Sequence, residues 1–280
     1  IRLAFRVRDV IYRVLHDNKG VDVRMMRHVD LCSGIGGFSL GFEWAGLSRP
    51  VMFCDVEPWC RKVLAKHWPD VPIAEDVKEL ANDPEGTIPE CDILTAGYPC
   101  QPFSLASKDR KGTEDERHIW PYIRQIIAIR RPSWCVFENV RGHISNGLDA
   151  VISDLHAEKY TVIPMLLPAY CVGAIHERAR VYIVAYTNDR GGSLWGNGKL
   201  QQDEEVVRCR DDKRERAPKF NTREWRQIKS RPFGVAHGIP NRVDRNTGLG
   251  NAIVPQVAMQ IGVAIRQCEA DAIRQLKAKE

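Results

Sequence analysis

Short apolar runs alternate with segments of helical periodicity along most of this 280-residue chain. The apolar runs predict strands at 28–32, 51–55, 92–96, 134–138, 160–167 and 180–186. Helical spacing predicts helices at 38–45, 59–67, 121–130, 148–158 and 254–276. This alternation predicts an α/β fold, with a mostly parallel sheet and helices on both of its faces.

Two stretches depart from the alternation. Residues 1–24 precede the first strand, and their apolar positions at helical spacing predict an N-terminal helical extension. Residues 187–231 are polar and rich in Gly, Arg and Asp, with no sustained apolar periodicity. We therefore expect a small, loop-rich lobe at 187–231, and a main domain formed by residues 25–186 and 232–280.

Composition excludes several classes of protein. No apolar run approaches the ~20 residues that cross a bilayer, so we expect a cytoplasmic, monomeric protein with no membrane partner. The nine cysteines are scattered and contain no CxxC pair, which predicts neither a metal site nor a disulfide framework. A net charge of +5 is compatible with a polyanionic partner such as nucleic acid.

A glycine-rich turn, DLCSGIGGF at 30–38, joins the first predicted strand to the first helix. Glycine lets the backbone approach a ligand and leaves the helix N-terminus facing it. Asp55 ends the next strand, where it can accept hydrogen bonds from ribose hydroxyls, and Asp76 lies in a predicted loop where it can read an adenine amino group. The G-x-G-G spacing lacks the third glycine of a dinucleotide site. It favours a mononucleoside-sized ligand, with a purely structural turn as the alternative.

Three further polar segments carry candidate chemistry. In GYPCQPFS at 97–104, two prolines restrict the backbone around Cys100 at the carboxyl edge of the sheet, where open α/β folds bind ligands. Glu138 ends an apolar strand. Arg178 and Arg180 are two residues apart, which predicts that both lie on one face of an extended segment. Taken singly, Glu138 can be a salt-bridged acid and the arginines a solvated edge.

The order of these segments resembles that of the DNA cytosine-5 methyltransferase family, of bacterial or phage type. The segments that correspond are the glycine turn, Pro99-Cys100-Gln101, Glu138-Asn139-Val140, Arg178-Ala179-Arg180 and Gly250-Asn251-Ala252-Ile253-Val254. The resemblance extends from about residue 27 to about residue 265. It implies a Rossmann-like S-adenosylmethionine-dependent methyltransferase fold in which 187–231 is the target-recognition lobe.

The resemblance also implies a mechanism on double-stranded DNA. Cys100 adds to carbon 6 of a flipped-out cytosine, Glu138 hydrogen-bonds the ring at N3 and its exocyclic amine, and Asn139 orients the segment. Arg178 and Arg180 hold Glu138 and the base carbonyl. The residues implied to contact the base are Gln101 and Ser104. Those implied to contact S-adenosylmethionine are Asp30, Ser33, Gly34, Gly36, Gly37, Phe38, Asp55, Asp76, Pro99, Asn251 and Ala252.

Some positions leave alternatives open. Phe38 either packs against the cofactor or is a core residue at the start of a helix. Residues 104–118 suit a loop that closes over DNA, but their acidic and basic side chains nearly balance, as in an ordinary solvated loop. The chain also departs from the family pattern with Asp55 for a glutamate, His176 for a glutamine and Ala252 for a serine.

Two other functions compete with methylation of DNA. One is the related branch that methylates cytosine in tRNA, whose typical Cys-Phe-Thr tripeptide is absent from this sequence. The other is a nucleic-acid-binding relative without catalytic activity. The presence of Cys100, Glu138, Arg178 and Arg180 together favours an enzyme over this second alternative.

Overall fold

A computed structural model describes residues 23–99, 119–174, 177–187, 207–208 and 250–278, of which 207–208 are described by their backbone alone. The strands among these residues are β1 (Met26–Leu31), β2 (Ser48–Cys54), β3 (Ile73–Ala74), β4 (Ile93–Ala96), β5 (Trp134–Val140), β6 (Tyr160–Leu167), β7 (Arg180–Thr187) and β8 (Val207–Arg208). The α-helices are α1 (Gly37–Trp44), α2 (Pro58–His67), α3 (Val77–Asn82), α4 (Pro84–Thr87), α5 (Trp120–Arg130), α6 (Leu148–Ala157) and α7 (Pro255–Lys277). Short 3-10 helices cover Arg141–Ser145 and Ala169–Val172.

The eight described strands form one sheet in the order β3-β2-β1-β4-β5-β7-β6-β8. The five strands from β3 to β5 are parallel to one another, whereas β7 is antiparallel to both β5 and β6. Strand order reverses at β1, because β2 lies on one side of it and β4 on the other. In open α/β sheets this switch point leaves a crevice at the carboxyl ends of the two strands, where ligands bind.

Helices cover both faces of the sheet, as predicted. In β1, Val29 and Leu31 belong to a core cluster that includes residues of α3, α5 and α6. Met26 points to the opposite face and joins a second cluster, formed with α1 and α7. Because side chains alternate along a strand, His28 and Asp30 share this second face with Met26. The Asp30 side chain, at the start of the glycine-rich segment, is therefore directed under α1 rather than into the crevice.

Helices α1 and α7 approach each other closely enough that only glycine fits between them. A Cβ atom at Gly41 would lie 2.7 Å from Ala258 Cβ and 2.8 Å from Met259 N, and it would also meet the Pro255 carbonyl oxygen. A Cβ atom at Gly37 would lie 2.6 Å from the Ile253 carbonyl oxygen. These approaches hold the segment that precedes α7 against the first turn of α1.

All six predicted strands and all five predicted helices are present, with ends shifted by at most two residues except where β2 begins three residues early. The predicted alternation is therefore confirmed. The boundaries of the predicted lobe and extension stay predictions, because most of their residues lie outside the described ranges. Within the predicted lobe, Thr187 ends β7, and residues 207–208 pair with Met165 and Leu166 at the sheet edge. In the part of the chain described, no helix is long and apolar enough to span a bilayer.

Candidate active site

The glycine turn after β1 is tied to the end of β2. Ser33 donates its backbone N–H to the Cys54 carbonyl oxygen at 3.0 Å, and its hydroxyl contacts the carbonyl oxygens of Asp30 and Cys54. Gly34 and Gly36 have φ angles of +54° and +82°, which favour glycine. A Cβ atom at Gly36 would collide with the Trp68 ring, whereas one at Gly34 would meet no atom within 4 Å. The space beside Gly34 is therefore open to a ligand.

Asp55 lies at this opening, directly after β2. Its Oδ2 accepts a hydrogen bond from Gly34 N at 2.7 Å, and its Oδ1 accepts one from Glu57 N at 2.9 Å. Burial raises the pKa of Asp55, and these two hydrogen bonds oppose the rise. Each carboxylate oxygen has a second lone pair, so Asp55 retains the capacity to accept from ribose hydroxyls.

Val56 is an additional candidate that the sequence did not indicate. Its side chain is 69% exposed although it is apolar and adjoins Asp55. An exposed apolar side chain at the edge of a ligand crevice is suited to cover a flat ring such as a purine. No sequence pattern distinguishes an exposed valine at the end of a strand from a core residue, so Val56 was not predicted.

Two residues expected to touch the cofactor have side chains directed elsewhere. The Asp30 carboxylate is fully buried and is hydrogen-bonded to Thr95 Oγ1 at 2.6 Å and Ser39 Oγ at 3.0 Å. Phe38 is 1% exposed and packs against Phe42 and Tyr182. Direct cofactor contact by these two side chains is therefore a wrong expectation, and for Phe38 the core alternative is the observed one.

Asp76 lies in the loop between β3 and α3, as predicted, and also caps α3. Its Oδ1 accepts a hydrogen bond from Lys78 N at 2.9 Å, at the start of α3. The capping role was not predicted, because α3 is too short to be visible in the hydrophobic pattern. Asp76 still follows β3, and the Asp55 N–H donates to the Ala74 carbonyl oxygen at 3.1 Å. Both acids therefore lie on the same edge of the sheet.

Glu138 lies near the end of β5 and is buried beside an arginine. Its Oε1 is 3.0 Å from Arg180 Nε, across the pair of antiparallel strands β5 and β7. A Cβ atom at Gly97 would lie 3.9 Å from Glu138 Oε2, so the carboxyl group faces the turn that leads to Cys100. Burial raises the pKa of Glu138 to about 7, against the opposing charges of Arg180 and Arg178. Burial thus favours the protonated form of Glu138, in which the carboxyl group can donate a hydrogen bond.

Arg178 does not share an extended segment with Arg180, so that expectation is wrong. Arg178 precedes β7 and has a φ of 35°, which breaks the alternation of an extended chain. Its Nη2 donates to the Ala252 carbonyl oxygen at 2.7 Å. Burial lowers the pKa of Arg178. The arginine therefore joins the segment at Asn251 and Ala252, of which Asn251 is exposed, to the site around Glu138.

The backbone that leads to Cys100 is held by residues that follow Glu138. Asn139 Nδ2 donates to the Tyr98 carbonyl oxygen at 3.3 Å, and the Tyr98 hydroxyl is 2.8 Å from His143 Nε2. The Tyr98 ring also packs against Trp120 and Phe137. Tyr98 and His143 were not indicated by the sequence, since their partnership depends on the pairing of β4 with β5.

Several predicted residues lie outside the described part of the chain. They are Cys100, Gln101, Ser104, the 104–118 loop and His176. Pro99, the last described residue before Cys100, is exposed. Among the residues that are described, no group of three or more His, Cys, Asp or Glu side chains could hold a metal ion.

A switch-point crevice with a glycine turn, acids after β2 and β3, and a buried acid–arginine pair suits the binding of a nucleoside cofactor. Residues 26–211 match the family model described as C-5 cytosine-specific DNA methylase, and the chain belongs to that family. Members of this family use S-adenosylmethionine as the methyl donor.

Relatives support this assignment over part of their length. Type II methyltransferase M2.BsuMI of Bacillus subtilis is 33% identical over 172 residues, which cover 57% of this chain and 42% of that protein. Type II methyltransferase M.HhaI of Haemophilus parahaemolyticus is 31% identical over 169 residues, covering 59% of this chain and 50% of that one. The chain therefore matches half or less of the length of these two relatives.

Solved structures support the fold. The Dnmt2 methyltransferase of S. pombe superposes with a TM-score of 0.60 at 17% identity, covering 86% of this chain and 99% of that chain. A DNMT2 mutant of Spodoptera frugiperda gives a TM-score of 0.53 at 22% identity, covering 65% of this chain and 54% of that chain. The Rossmann-like methyltransferase fold is thus confirmed.

Proposed function

We propose that this chain transfers a methyl group from S-adenosylmethionine to carbon 5 of cytosine in DNA. The observation that carries the proposal is the position of Glu138. It is a buried acid with a pKa raised to about 7, paired with Arg180 and facing the turn that leads to Cys100. A buried acid with a shifted pKa, close to the segment that leads to a candidate nucleophile, is typical of an active site.

The residues at the switch point fit the proposed cofactor. Gly34 borders open space, Asp55 retains acceptor capacity for ribose hydroxyls, and Val56 offers an exposed apolar surface for the purine. Ser33, Gly36 and Gly37 form this turn. Asp76, Pro99, Asn251 and Ala252 are the other proposed cofactor contacts. S-adenosylmethionine, when bound, supplies an electrophilic methyl group. Asp30 acts in this proposal by positioning the turn and not by contact.

The proposed chemistry begins at the cytosine ring. Cys100, as thiolate, forms a bond to carbon 6, while protonated Glu138 donates its hydrogen to N3 and neutralises the charge that develops there. Carbon 5 is then nucleophilic and would take the methyl group of S-adenosylmethionine as the bond from that group to sulfur breaks, which leaves S-adenosylhomocysteine. Loss of the proton from carbon 5 to a base restores the double bond between carbons 5 and 6 and expels Cys100 as a thiolate, and the proton on N3 returns to Glu138.

Arg180 and Arg178 have separate tasks in this scheme. Arg180 contacts Glu138 directly and keeps the carboxyl group in place across β5 and β7. Arg178 holds the Ala252 carbonyl oxygen, and its positive charge also acts on Glu138. Asn139 anchors the Tyr98 backbone. In this arrangement the acid and the nucleophile-bearing turn are held by the same strand, β5.

Double-stranded DNA is the proposed substrate because the family description and the named relatives concern DNA. A stacked cytosine cannot reach a buried acid, so the base must be flipped out of the duplex. Gln101 and Ser104 are the proposed base contacts, and the 104–118 loop the proposed contact with phosphates. Methylation of tRNA is the second candidate, and the experiment below includes it.

Covalent trapping tests the proposal. Fluorine at carbon 5 cannot leave as a cation, so a duplex that contains 5-fluorocytosine should trap the adduct after methyl transfer. We expect a covalent protein–DNA complex that requires S-adenosylmethionine and is lost in Cys100→Ala. Cys171→Ala is the matched control and should still form the complex. If the complex forms with tRNA that contains 5-fluorocytosine but not with the DNA duplex, the substrate is RNA. If Cys100→Ala still forms the complex, the proposed role of Cys100 is refuted.

A further inference from the structure

Four buried polar side chains form a closed ring beneath the glycine turn. Thr95 Oγ1 lies 2.6 Å from Asp30 Oδ1 and 2.7 Å from His28 Nε2, and Ser39 Oγ lies 3.0 Å from Asp30 Oδ2 and 3.3 Å from His28 Nδ1. All four residues are 0% exposed. The ring therefore has four polar contacts, each of which needs one hydrogen atom between its two heavy atoms.

Counting hydrogens shows that the ordinary ionisation states leave the ring incomplete. The hydroxyls of Ser39 and Thr95 supply one hydrogen each, neutral His28 supplies one, and an ionised Asp30 supplies none. These three hydrogens must serve four contacts, so one contact would bring two acceptors together in a site without exposure to water. An unsatisfied buried polar pair is costly.

We infer that the folded protein holds one additional proton in this ring, so that Asp30 is a neutral carboxylic acid and a positioning residue for the glycine turn. All four contacts are then filled in one direction around the ring. Asp30 Oδ2–H donates to Ser39, Ser39 donates to His28 Nδ1, His28 Nε2–H donates to Thr95, and Thr95 donates to Asp30 Oδ1. Hydrogen bonds aligned in this way strengthen one another.

The surroundings favour the proton on Asp30 and not on His28. Burial raises the pKa of Asp30 to about 7 and lowers the pKa of His28 to about 3. Asp55, at the end of β2, adds a negative charge that also favours the protonated acid. On the neighbouring elements, α1 presents Ser39 and the Phe42 ring, 5.4 Å from the His28 ring, and β4 presents Thr95. An imidazolium has no charged partner there except Asp30 itself.

The ring bears on the cofactor turn through the Asp30 backbone. The Asp30 carbonyl oxygen accepts the Ser33 hydroxyl, and Ser33 begins the turn and joins it to β2. A ring that is complete fixes β1, α1 and β4 relative to one another directly below Gly34. The consequence for cofactor binding rests on the proposed function, whereas the protonation of Asp30 does not.

Carboxyl NMR of the full chain, labelled with 13C at the aspartate side chains, tests the inference. The Asp30 signal, assigned by its loss in Asp30→Asn, should report a protonated acid at pH 6 and titrate near pH 7. The His28 ring nitrogens should report the neutral Nε2–H form over the same range. A carboxyl signal that titrates in the ordinary range of aspartate, near pH 4, would overturn the inference.

Unfolding measurements give an independent test, because the inference predicts the direction in which stability changes with pH. A raised folded-state pKa means that stability is present below the unfolded pKa and is lost as pH rises towards 7. Asn at position 30 mimics the neutral acid, since its Nδ2–H donates to Ser39 and its Oδ1 accepts from Thr95. The unfolding equilibrium constants of wild type and Asp30→Asn should agree near pH 3, below the unfolded pKa of 3.8. At pH 8 that of wild type should be larger by up to about a thousandfold, from the shift of 3.8 to about 7.

Two variants separate this effect from ordinary structural damage. Asp30→Ala leaves the ring open and should be less stable than Asp30→Asn at every pH. Asp70→Asn changes an exposed aspartate and should show no such pH-dependent difference from wild type. If Asp30→Asn is as damaging as Asp30→Ala and its difference from wild type does not change with pH, the proton is absent. Affinity for S-adenosylmethionine, measured on the same variants, should be retained in Asp30→Asn and reduced in Asp30→Ala.

Discussion

Gly41→Ala should destabilise the protein, because α1 and α7 touch at this glycine. The added Cβ would lie 2.7 Å from Ala258 Cβ and 2.8 Å from Met259 N, against an ordinary van der Waals distance of at least 3.4 Å. These neighbours are backbone and Cβ atoms, which cannot rotate away. The helices must therefore separate by more than half an ångström along their contact.

The magnitude follows from two opposing effects. Overpacking in a core costs about 1–3 kcal/mol, while alanine in place of glycine within a helix returns up to about 1 kcal/mol. Backbone collisions place Gly41→Ala at the upper end of the first range, so a net loss of about 2 kcal/mol is expected. That loss changes the unfolding equilibrium constant by about thirtyfold.

Urea unfolding measures this loss, with Gly142→Ala as the matched control. A Cβ atom at Gly142 would meet no atom within 4 Å, and its φ is not in the left-handed region. The same chemical change should therefore be neutral or stabilise by up to about 1 kcal/mol. The midpoints should differ while the slopes agree. If the two variants unfold at the same urea concentration, the close approach of α1 and α7 is incorrect.

Two further variants test the surroundings of Glu138. The pKa of Glu138 is raised from 4.5 to about 7, so wild type loses stability as the pH rises through that window. Glu138→Gln should therefore be more stable than wild type at pH 8, by up to about 3 kcal/mol. The same variant should transfer no methyl groups. Equal stability below pH 4 and a gap at pH 8 in urea unfolding would support this, and a gap of the same size at both would contradict it. Tyr98→Phe removes the hydroxyl beside His143 and should cost about 1–3 kcal/mol in the same assay. His143→Phe in addition should recover part of that loss, whereas strictly additive losses would show that the two side chains are not coupled.

The strand and helix pattern was predictable because each major element carries its own periodicity. Apolar runs identified the six longer strands, and the amphipathic spacing of α7 identified the helix that covers α1. The helices α3 and α4 have six and four residues, too few for a periodic signal. The role of Asp76 as the N-cap of α3 was therefore not predictable, although its place in a loop was.

The site was predictable in its residue types but not in all of its contacts. The resemblance implied that Arg180 contacts Glu138, but the contact depends on the pairing of β5 with β7, which no local sequence pattern shows. The backbone of Arg178 reflects its bond to Ala252, a residue 74 positions away. His28 and Thr95 are buried polar residues of β1 and β4. Their contact depends on the pairing of these two strands, which no local sequence pattern shows.

Base-resolution methylation mapping tests the central claim most directly. DNA is sequenced from a host that lacks cytosine methylation, with and without expression of this chain, and with Cys100→Ala as the matched control. The account predicts new 5-methylcytosine in a fixed sequence context, absent with Cys100→Ala. Unmethylated DNA, despite folded protein that binds S-adenosylmethionine, or methylation that persists in Cys100→Ala, would contradict it.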